Sequence, residues 1–243
     1  MKTIGLLGGM SWESTVSYYQ YINRAVGEQL GGLHSARILL ASVDFHEVER
    51  MQRANDWHAA AQLLGDHATR LETAGADLIV LCTNTMHKIA ADIEEKLGIP
   101  LIHIVDSTGR AMVDGGWTKV GLLGTRFTMQ EDFYVGRLER NFGINVIVPD
   151  EYAQKDIHQI IYDELCLGVV SESARQRYVE IIGQLVAEGA GAVIMGCTEI
   201  GLLLRAGDVQ VPLIDTTRLH AQEAVRIALG GMVPVTSIDG FSD

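Results

Sequence analysis

Ala192-Val193-Ile194-Met195-Gly196-Cys197-Thr198-Glu199 sets a cysteine at the end of an apolar run, and the chain carries an altered twin of this stretch. The twin is Asp77-Leu78-Ile79-Val80-Leu81-Cys82-Thr83-Asn84-Thr85. A short, wholly apolar run closed by small polar residues reads as a buried parallel strand ending in a turn. Matches on either side fix how the two stretches correspond. Gly5-Leu6-Leu7-Gly8 recurs 116 residues later as Gly121-Leu122-Leu123-Gly124. Gly75-Ala76 recurs after 114 as Gly189-Ala190, and Ile99-Pro100-Leu101-Ile102 after 112 as Val211-Pro212-Leu213-Ile214. Offsets this close differ only by small insertions, so the chain reads as an internal duplication. At the middle offset Thr83 falls on Cys197, Asn84 on Thr198 and Thr85 on Glu199.

Periodicity fills in the rest. Strands are expected at 4–7, 36–43, 101–103, 120–123 and 144–148, besides the two quoted runs. Ser11 is the expected N-cap of a helix over 12–26. Further helices are expected at 57–74, 86–97, 106–113, 150–164, 171–188 and 218–229, with a short charged helix or loop at 47–53. Thr128 and Glu131 have the spacing of a capping box. Strands alternating with helices imply parallel sheets, hence an α/β fold of two pseudo-symmetric lobes. The restart places the first lobe at 1–115 with 212–230 and the second at 116–211, leaving 231–243 as a loose tail.

Composition narrows the function. A net charge of −12 argues against nucleic acid as a partner. No apolar run reaches membrane-spanning length. Three cysteines (Cys82, Cys166, Cys197) are too few for a disulfide scaffold, and the opening residues have strand length rather than that of a secretory core. A reduced, cytoplasmic setting is therefore expected. The eight histidines are scattered without metal-ligand spacing, so no metal is expected. Gly8-Gly9 lacks the rest of a dinucleotide fingerprint.

The duplication supplies the chemistry. In open parallel sheets, ligands bind beyond the carboxyl ends of the strands. Both turns end such a strand and precede an expected helix, whose free N–H groups favour anions. A pseudo-twofold relation would set the turns face to face across a cleft, so that a small carboxylate meets one polar side chain from each side. That suits removing a proton from one face of a carbon and returning it on the other. Cysteine fits the task, because its thiol pKa of about 8.5 falls at a helix N-terminus. Core filling is the ordinary role of a buried cysteine and is the reading for Cys166. Cys82 is one residue out of step with Cys197, so its side chain points to the other face and it too reads as structural. His87 is left between a structural histidine and a base.

Gly8-Gly9-Met10-Ser11, Asn84-Thr85-Met86-His87 and Gly196-Cys197-Thr198-Glu199 resemble the aspartate/glutamate racemase family over about residues 1–230. The Gly-Cys-Thr-Glu form resembles the aspartate-racemase branch, and the likeness is closest to the subgroup with a Thr/Cys pair that is specific for L-aspartate and L-glutamate. The resemblance implies no pyridoxal phosphate, two pseudo-symmetric lobes and a homodimer. It implies Thr83 and Cys197 as the catalytic pair, Thr83 standing where relatives carry a first-lobe cysteine. It also implies that Asn84, Thr85 and Thr198 hold the α-carboxylate, with Met10, Gln52 and Glu199 as further substrate contacts. A threonine hydroxyl can donate a proton but is a poor base, so a bias toward L-substrates is expected. Cys166 stands where relatives commonly carry a lysine, which points to a looser side-chain pocket. A one-cysteine lyase or isomerase of the arylmalonate decarboxylase or maleate isomerase type, and a non-catalytic amino-acid-binding protein, are the alternatives.

Overall fold

The computed structural model describes residues 1–205 and 207–231. By its internal contacts the chain divides into two compact units: Met1–Ile104 with residues 217–231, and Val105–Thr216. In the first, β1 (Ile4–Gly8), β2 (Ile38–Ser42), β3 (Leu78–Leu81) and β4 (Leu101–Ile102) form a parallel sheet in the order β2-β1-β3-β4. In the second, β5 (Lys119–Gly124), β6 (Asn145–Ile147), β7 (Ala192–Gly196) and β8 (Leu213–Asp215) repeat that order as β6-β5-β7-β8. The fold is the expected α/β arrangement of two parallel sheets.

Helices connect the strands. They are α1 (Trp12–Leu30), α2 (Phe45–Arg53), α3 (Trp57–Thr73), α4 (Ala90–Glu94) and α5 (Ile104–Asp114), then α6 (Arg126–Gln130), α7 (Val135–Phe142), α8 (Glu151–Asp163), α9 (Glu172–Ala187), α10 (Ile200–Leu203) and α11 (Thr216–Ala228). Each sheet buries both faces, which is why its central strands are continuous apolar runs. On β3, Ile79 and Leu81 pack with Leu64, Ala68 and Leu71 of α3. Leu78, Val80 and then Cys82 pack on the opposite face with Tyr18 and Ile22 of α1 and Ala221, Ala224 and Val225 of α11. On β7, Val193, Met195 and then Cys197 pack with α8 and α9. Burial of each such aliphatic side chain contributes on the order of 1.5–3 kcal/mol.

Strand register bears out the duplication residue by residue. Leu7 pairs with Leu81 and Leu123 with Met195; Ile79 pairs with Leu101 and Val193 with Leu213. The offsets read from sequence carry each first-sheet pair onto its second-sheet counterpart. Even the hydrogen bonds entering the strands correspond: Ile79 N–H to Pro100 O and Val193 N–H to Pro212 O are both 2.9 Å. Thr83 and Cys197, each two residues past an equivalent pair, therefore hold the same place in their two sheets.

Several local expectations need correction. The helix expected at 86–97 is a 3-10 segment, Thr85–Ile89, followed by the short α4, because Ile89 leaves helical geometry (φ −110°, ψ 19°). The proposed capping box does not exist: Thr125, directly after β5, is the N-cap, and Thr128 lies inside α6. Helix α1 runs on to Leu30 and is closed by Gly31 at φ 70°. The 47–53 segment is helical, and α2 begins at Phe45 behind an Asp44 cap.

The expected lobe boundaries gave α5 and β8 to the first lobe, whereas the internal contacts give both to the second unit. There β8 pairs with β7, and Asp106 of α5 holds Arg137 of α7 through two hydrogen bonds of 2.6 and 2.7 Å. In return α11 packs on the first sheet. Each half of the chain thus sends the helix after its last strand to the other unit. The expected tail, 231–243, lies outside the described residues apart from Gly231.

Candidate active site

Strand β7 delivers Cys197 to the carboxyl end of the second sheet, and glycine makes the approach possible. A Cβ on Gly196 would sit 2.8 Å from Leu123 O, and one on Gly124 the same distance from Gly196 O. Beyond them Cys197 is 9% exposed and Glu199 2%. The Cys197 thiol donates to Glu199 Oε2 at 3.0 Å, and the Thr198 hydroxyl donates to the same oxygen at 2.7 Å. A carboxylate is thus gripped by two side-chain donors from its own turn. Next to the turn, the Thr216 hydroxyl donates to Met195 O at 2.8 Å and ties the end of β7 to the start of α11.

The electrostatics differ from the sequence expectation. A lowered thiol pKa was expected from a helix N-terminus, yet α10 has four residues and little dipole to offer. Burial pushes the Cys197 thiol well above its usual range, and the Glu199 carboxylate beside it pushes the same way. Cys197 therefore rests as a neutral thiol with its proton already directed at Glu199.

The first unit supplies a second group of the expected residues at the carboxyl ends of β1 and β3. The Gly8-Gly9 turn is held from α1: Gly9 N–H donates to Thr15 Oγ1 at 2.8 Å, and that hydroxyl donates to Ser11 O at 2.9 Å. Gly9 has φ 93°, and a Cβ there would lie 2.2 Å from Val43 O, so no other residue fits. Ser11 caps α1 as expected. Met10 is buried and shares a core cluster with Met86. Gln52 of α2 is buried too, and its amide donates to Met86 Sδ at 2.9 Å. Gln52 is thereby tied to the segment that carries Thr83, Asn84 and Thr85, all three of them buried.

Two side chains behind this turn gain definite roles. His87 Nδ1 lies 2.7 Å from Thr83 O, while Ile104 N–H donates to His87 Nε2 at 3.2 Å. These partners assign a neutral ring whose Nδ1–H holds the Thr83 carbonyl. His87 is a structural histidine. Cys82 is fully buried on the opposite face of the sheet, where burial alone pushes its thiol far up. Cys166 is half-buried in the 3-10 segment Leu165–Leu167 and packs against the core that contains Cys197.

Sequence reasoning did not anticipate the direct Cys197–Glu199 bond. Its only trace was an acid two residues after the cysteine. Among the described residues no cluster of three His, Cys, Asp or Glu side chains is arranged to hold a metal, and no helix is long and apolar enough to cross a membrane.

The comparisons bear on the fold and the family. The sequence matches the family model described as Asp/Glu/Hydantoin racemase over residues 7–224. A Yersinia pestis protein, provisionally described as an Asp/Glu racemase, is 54% identical and superimposes with a TM-score of 0.87, covering 94% of this chain and 100% of that one. An aspartate racemase homologue from Pyrococcus horikoshii is 32% identical with a TM-score of 0.81 and the same coverage. The broad specificity amino-acid racemase RacX of Bacillus subtilis is 27% identical over 164 residues, 66% of this chain and 68% of its own. With its duplicated sheets, paired turns and family match, the chain belongs to the Asp/Glu/Hydantoin racemase family and is an isomerase of the racemase type.

Proposed function

We propose that this protein is a cofactor-independent amino-acid racemase for aspartate and glutamate, open to a broader set of side chains and favouring L-substrates. The observation that carries the reading is the thiol-to-carboxylate bond between Cys197 and Glu199. In the forward direction Glu199 takes the thiol proton, and the thiolate removes the α-proton of an L-amino acid. Thr83 donates its hydroxyl proton to the opposite face of the α-carbon and regains one from water, and Glu199 returns the original thiol proton to the hydroxide so formed, which resets the site. Thr83 is a poor base, so turnover of a saturating D-amino acid is the slower one. Enantiomers have equal free energy, so kcat/KM is equal in the two directions and the bias lies in kcat with a matching difference in KM. General acid–base steps of this kind contribute typically about 10²–10⁴-fold each.

Backbone N–H groups and hydroxyls of Asn84, Thr85 and Thr198 hold the α-carboxylate, Met10 lines the site through its backbone, and Gln52 is the candidate contact to the substrate side chain. Cys166, in place of a cation, fits a tolerant pocket. Glu199 has its carboxylate engaged by Cys197 and Thr198, which supports a proton-handling role beside any contact with substrate. The reading carries with it a cytoplasmic homodimer, which sedimentation analysis would test. Activity is tested by following the circular dichroism of an amino-acid panel beginning with L-aspartate and L-glutamate. Signal decay that is lost in Cys197→Ala supports the proposal; binding without decay for every amino acid rejects it.

A further inference from the structure

His87 is buried and holds the Thr83 turn twice. Its ring Nδ1–H donates to Thr83 O at 2.7 Å, and its backbone N–H donates to Asn84 O at 3.1 Å. On the near side of the turn, Thr83 N–H donates to Leu81 O at 2.8 Å. Peptide units are planar, so a turn moves only through φ and ψ, and fixing consecutive carbonyls removes most of that freedom. The ring itself is anchored. Ile104 N–H donates to its Nε2 at 3.2 Å, and the ring of His103 packs edge-on against it with centroids 4.7 Å apart. His87 is thus a strut between the junction of β4 with α5 and the carbonyl of Thr83.

The half of the chain that carries the cysteine has no such strut. The 114-residue offset that carries Thr83 onto Cys197 carries His87 onto Gly201, and the 112-residue offset carries His103 onto Asp215. The structure keeps that pairing: where His87 packs on His103, a Cβ on Gly201 would meet Asp215 Oδ2 at 3.9 Å. That distance is an ordinary contact, so space does not force glycine at 201. The carbonyl equivalent to that of Thr83, Cys197 O, accepts instead from Ile200 N–H at 3.2 Å. The difference between the halves follows the reactive side chain. Cys197 is governed by its ionisation, whereas a threonine hydroxyl, neither a strong acid nor a base, works through its placement.

We infer that His87 is a positioning residue for Thr83. By holding the Thr83 carbonyl it sets the direction of the Cα–Cβ bond, and so the line along which the hydroxyl delivers its proton to the α-carbon. The ring neither gives nor takes a proton in the reaction, because Nδ1–H is engaged by Thr83 O and Nε2 by Ile104 N–H. A misplacement of about 1 Å can cost on the order of 10²-fold in rate, so the loss of one bond behind the turn is enough to be read in turnover. The inference rests on the racemase reading, which gives Thr83 a proton to deliver.

The test is a pair of substitutions in the full chain, each keeping one of the two ring bonds. His87→Asn puts an amide donor near Nδ1; the same reach is made in α1, where Asn23 Nδ2 donates to Tyr19 O, four residues back, at 2.8 Å. His87→Gln has the length to meet Ile104 N–H instead and leaves Thr83 O without this donor. Each variant receives, in heavy water, the L-amino acid that the wild-type protein inverts fastest. Exchange of the α-proton is followed by NMR and inversion by circular dichroism. Exchange needs only Cys197, whereas inversion also needs Thr83. His87→Asn is expected to keep the inversion rate within about threefold of wild type and His87→Gln to lower it about 10–100-fold, with its ratio of inversion to exchange down about tenfold. His87→Leu, with neither bond, should invert no faster than His87→Gln and stands in for it should the glutamine variant not fold. Thermal unfolding should come earlier to a similar extent in His87→Asn and His87→Gln, each having lost one bond. Equal inversion in those two variants would overturn the inference, as would inversion and exchange falling together in His87→Gln. A wild-type protein that neither exchanges nor inverts any amino acid would overturn the racemase reading and this inference with it; an active wild type with equal variants overturns this inference alone.

Discussion

Cys197 Sγ lies 3.0 Å from Glu199 Oε2, inside the core of the second unit and two residues away along the chain. This bond defines the resting state. The thiol is neutral because burial and the adjacent carboxylate both oppose its ionisation, and the same carboxylate is the nearest place for its proton to go. A turn of three residues thus holds both a nucleophilic sulfur and the group that can deprotonate it.

Replacing Glu199 separates those two effects. Glu199→Gln keeps an acceptor of similar shape but removes the charge. Cys197 alkylation should shift to lower pH, since one of the causes raising the thiol is gone. The kcat should nevertheless fall by about 10²-fold or more, because the proton has lost its acceptor. An unchanged or upward-shifted alkylation profile would show that Glu199 does not control the thiol.

A second prediction concerns acid stability of the first unit. His220 is fully buried, its Nε2–H donating to Ile102 O and its Nδ1 accepting from Tyr18 Oη, both at 2.8 Å. Burial, then the neighbouring His87, lowers its pKa from 6.5 to about 3. Between those values the unfolded chain binds a proton that the folded chain refuses, so stability is complete above pH 6.5 and declines as pH falls toward 3. The slope approaches about 1.4 kcal/mol per pH unit over that window. Urea unfolding at pH 7, 6 and 5 should follow this decline, and His220→Gln should flatten it.

The turn after β1 offers a third. Thr15 accepts from Gly9 N–H and donates to Ser11 O. Thr15→Val keeps the shape and leaves both backbone groups without that partner in a buried turn. It should cost about 1–3 kcal/mol in urea unfolding. A loss within experimental error would mean that the turn is held by packing alone.

These features were not equally legible in the sequence. The two sheets were, because strands buried on both faces must be continuous apolar runs, and Ile79–Leu81 and Val193–Met195 are such runs. The equivalence of Thr83 and Cys197 was legible from offsets that the strand register reproduces. Element ends were less so: Thr125 and Thr128 both resemble a cap, and only the end of β5 decides between them. The chemistry of the second turn was partly hidden. Cys197 looks like a cysteine with a lowered pKa if a helix follows, but α10 is a single turn and the deciding groups are burial and Glu199. The exchange of α5 and α11 between units depends on contacts between residues far apart in the chain, which local pattern does not record.

Thr83→Cys is the gain-of-function counterpart. It places a thiol at the position equivalent to Cys197, where an ionisable base was missing. Activity from D-aspartate or D-glutamate should rise by at least about tenfold relative to that from the L-forms. Cys82, already a thiol but on the far face of the sheet, offers no such route, and Cys82→Ala should leave the enantiomer ratio unchanged.

The asymmetry between Cys197 and Thr83 is most directly read as α-proton loss in heavy water, followed by proton NMR for each enantiomer of aspartate and glutamate. The account predicts faster loss from the L-enantiomer, and loss from neither in Cys197→Ala. Equal loss from both enantiomers, or loss that persists without Cys197, would contradict it.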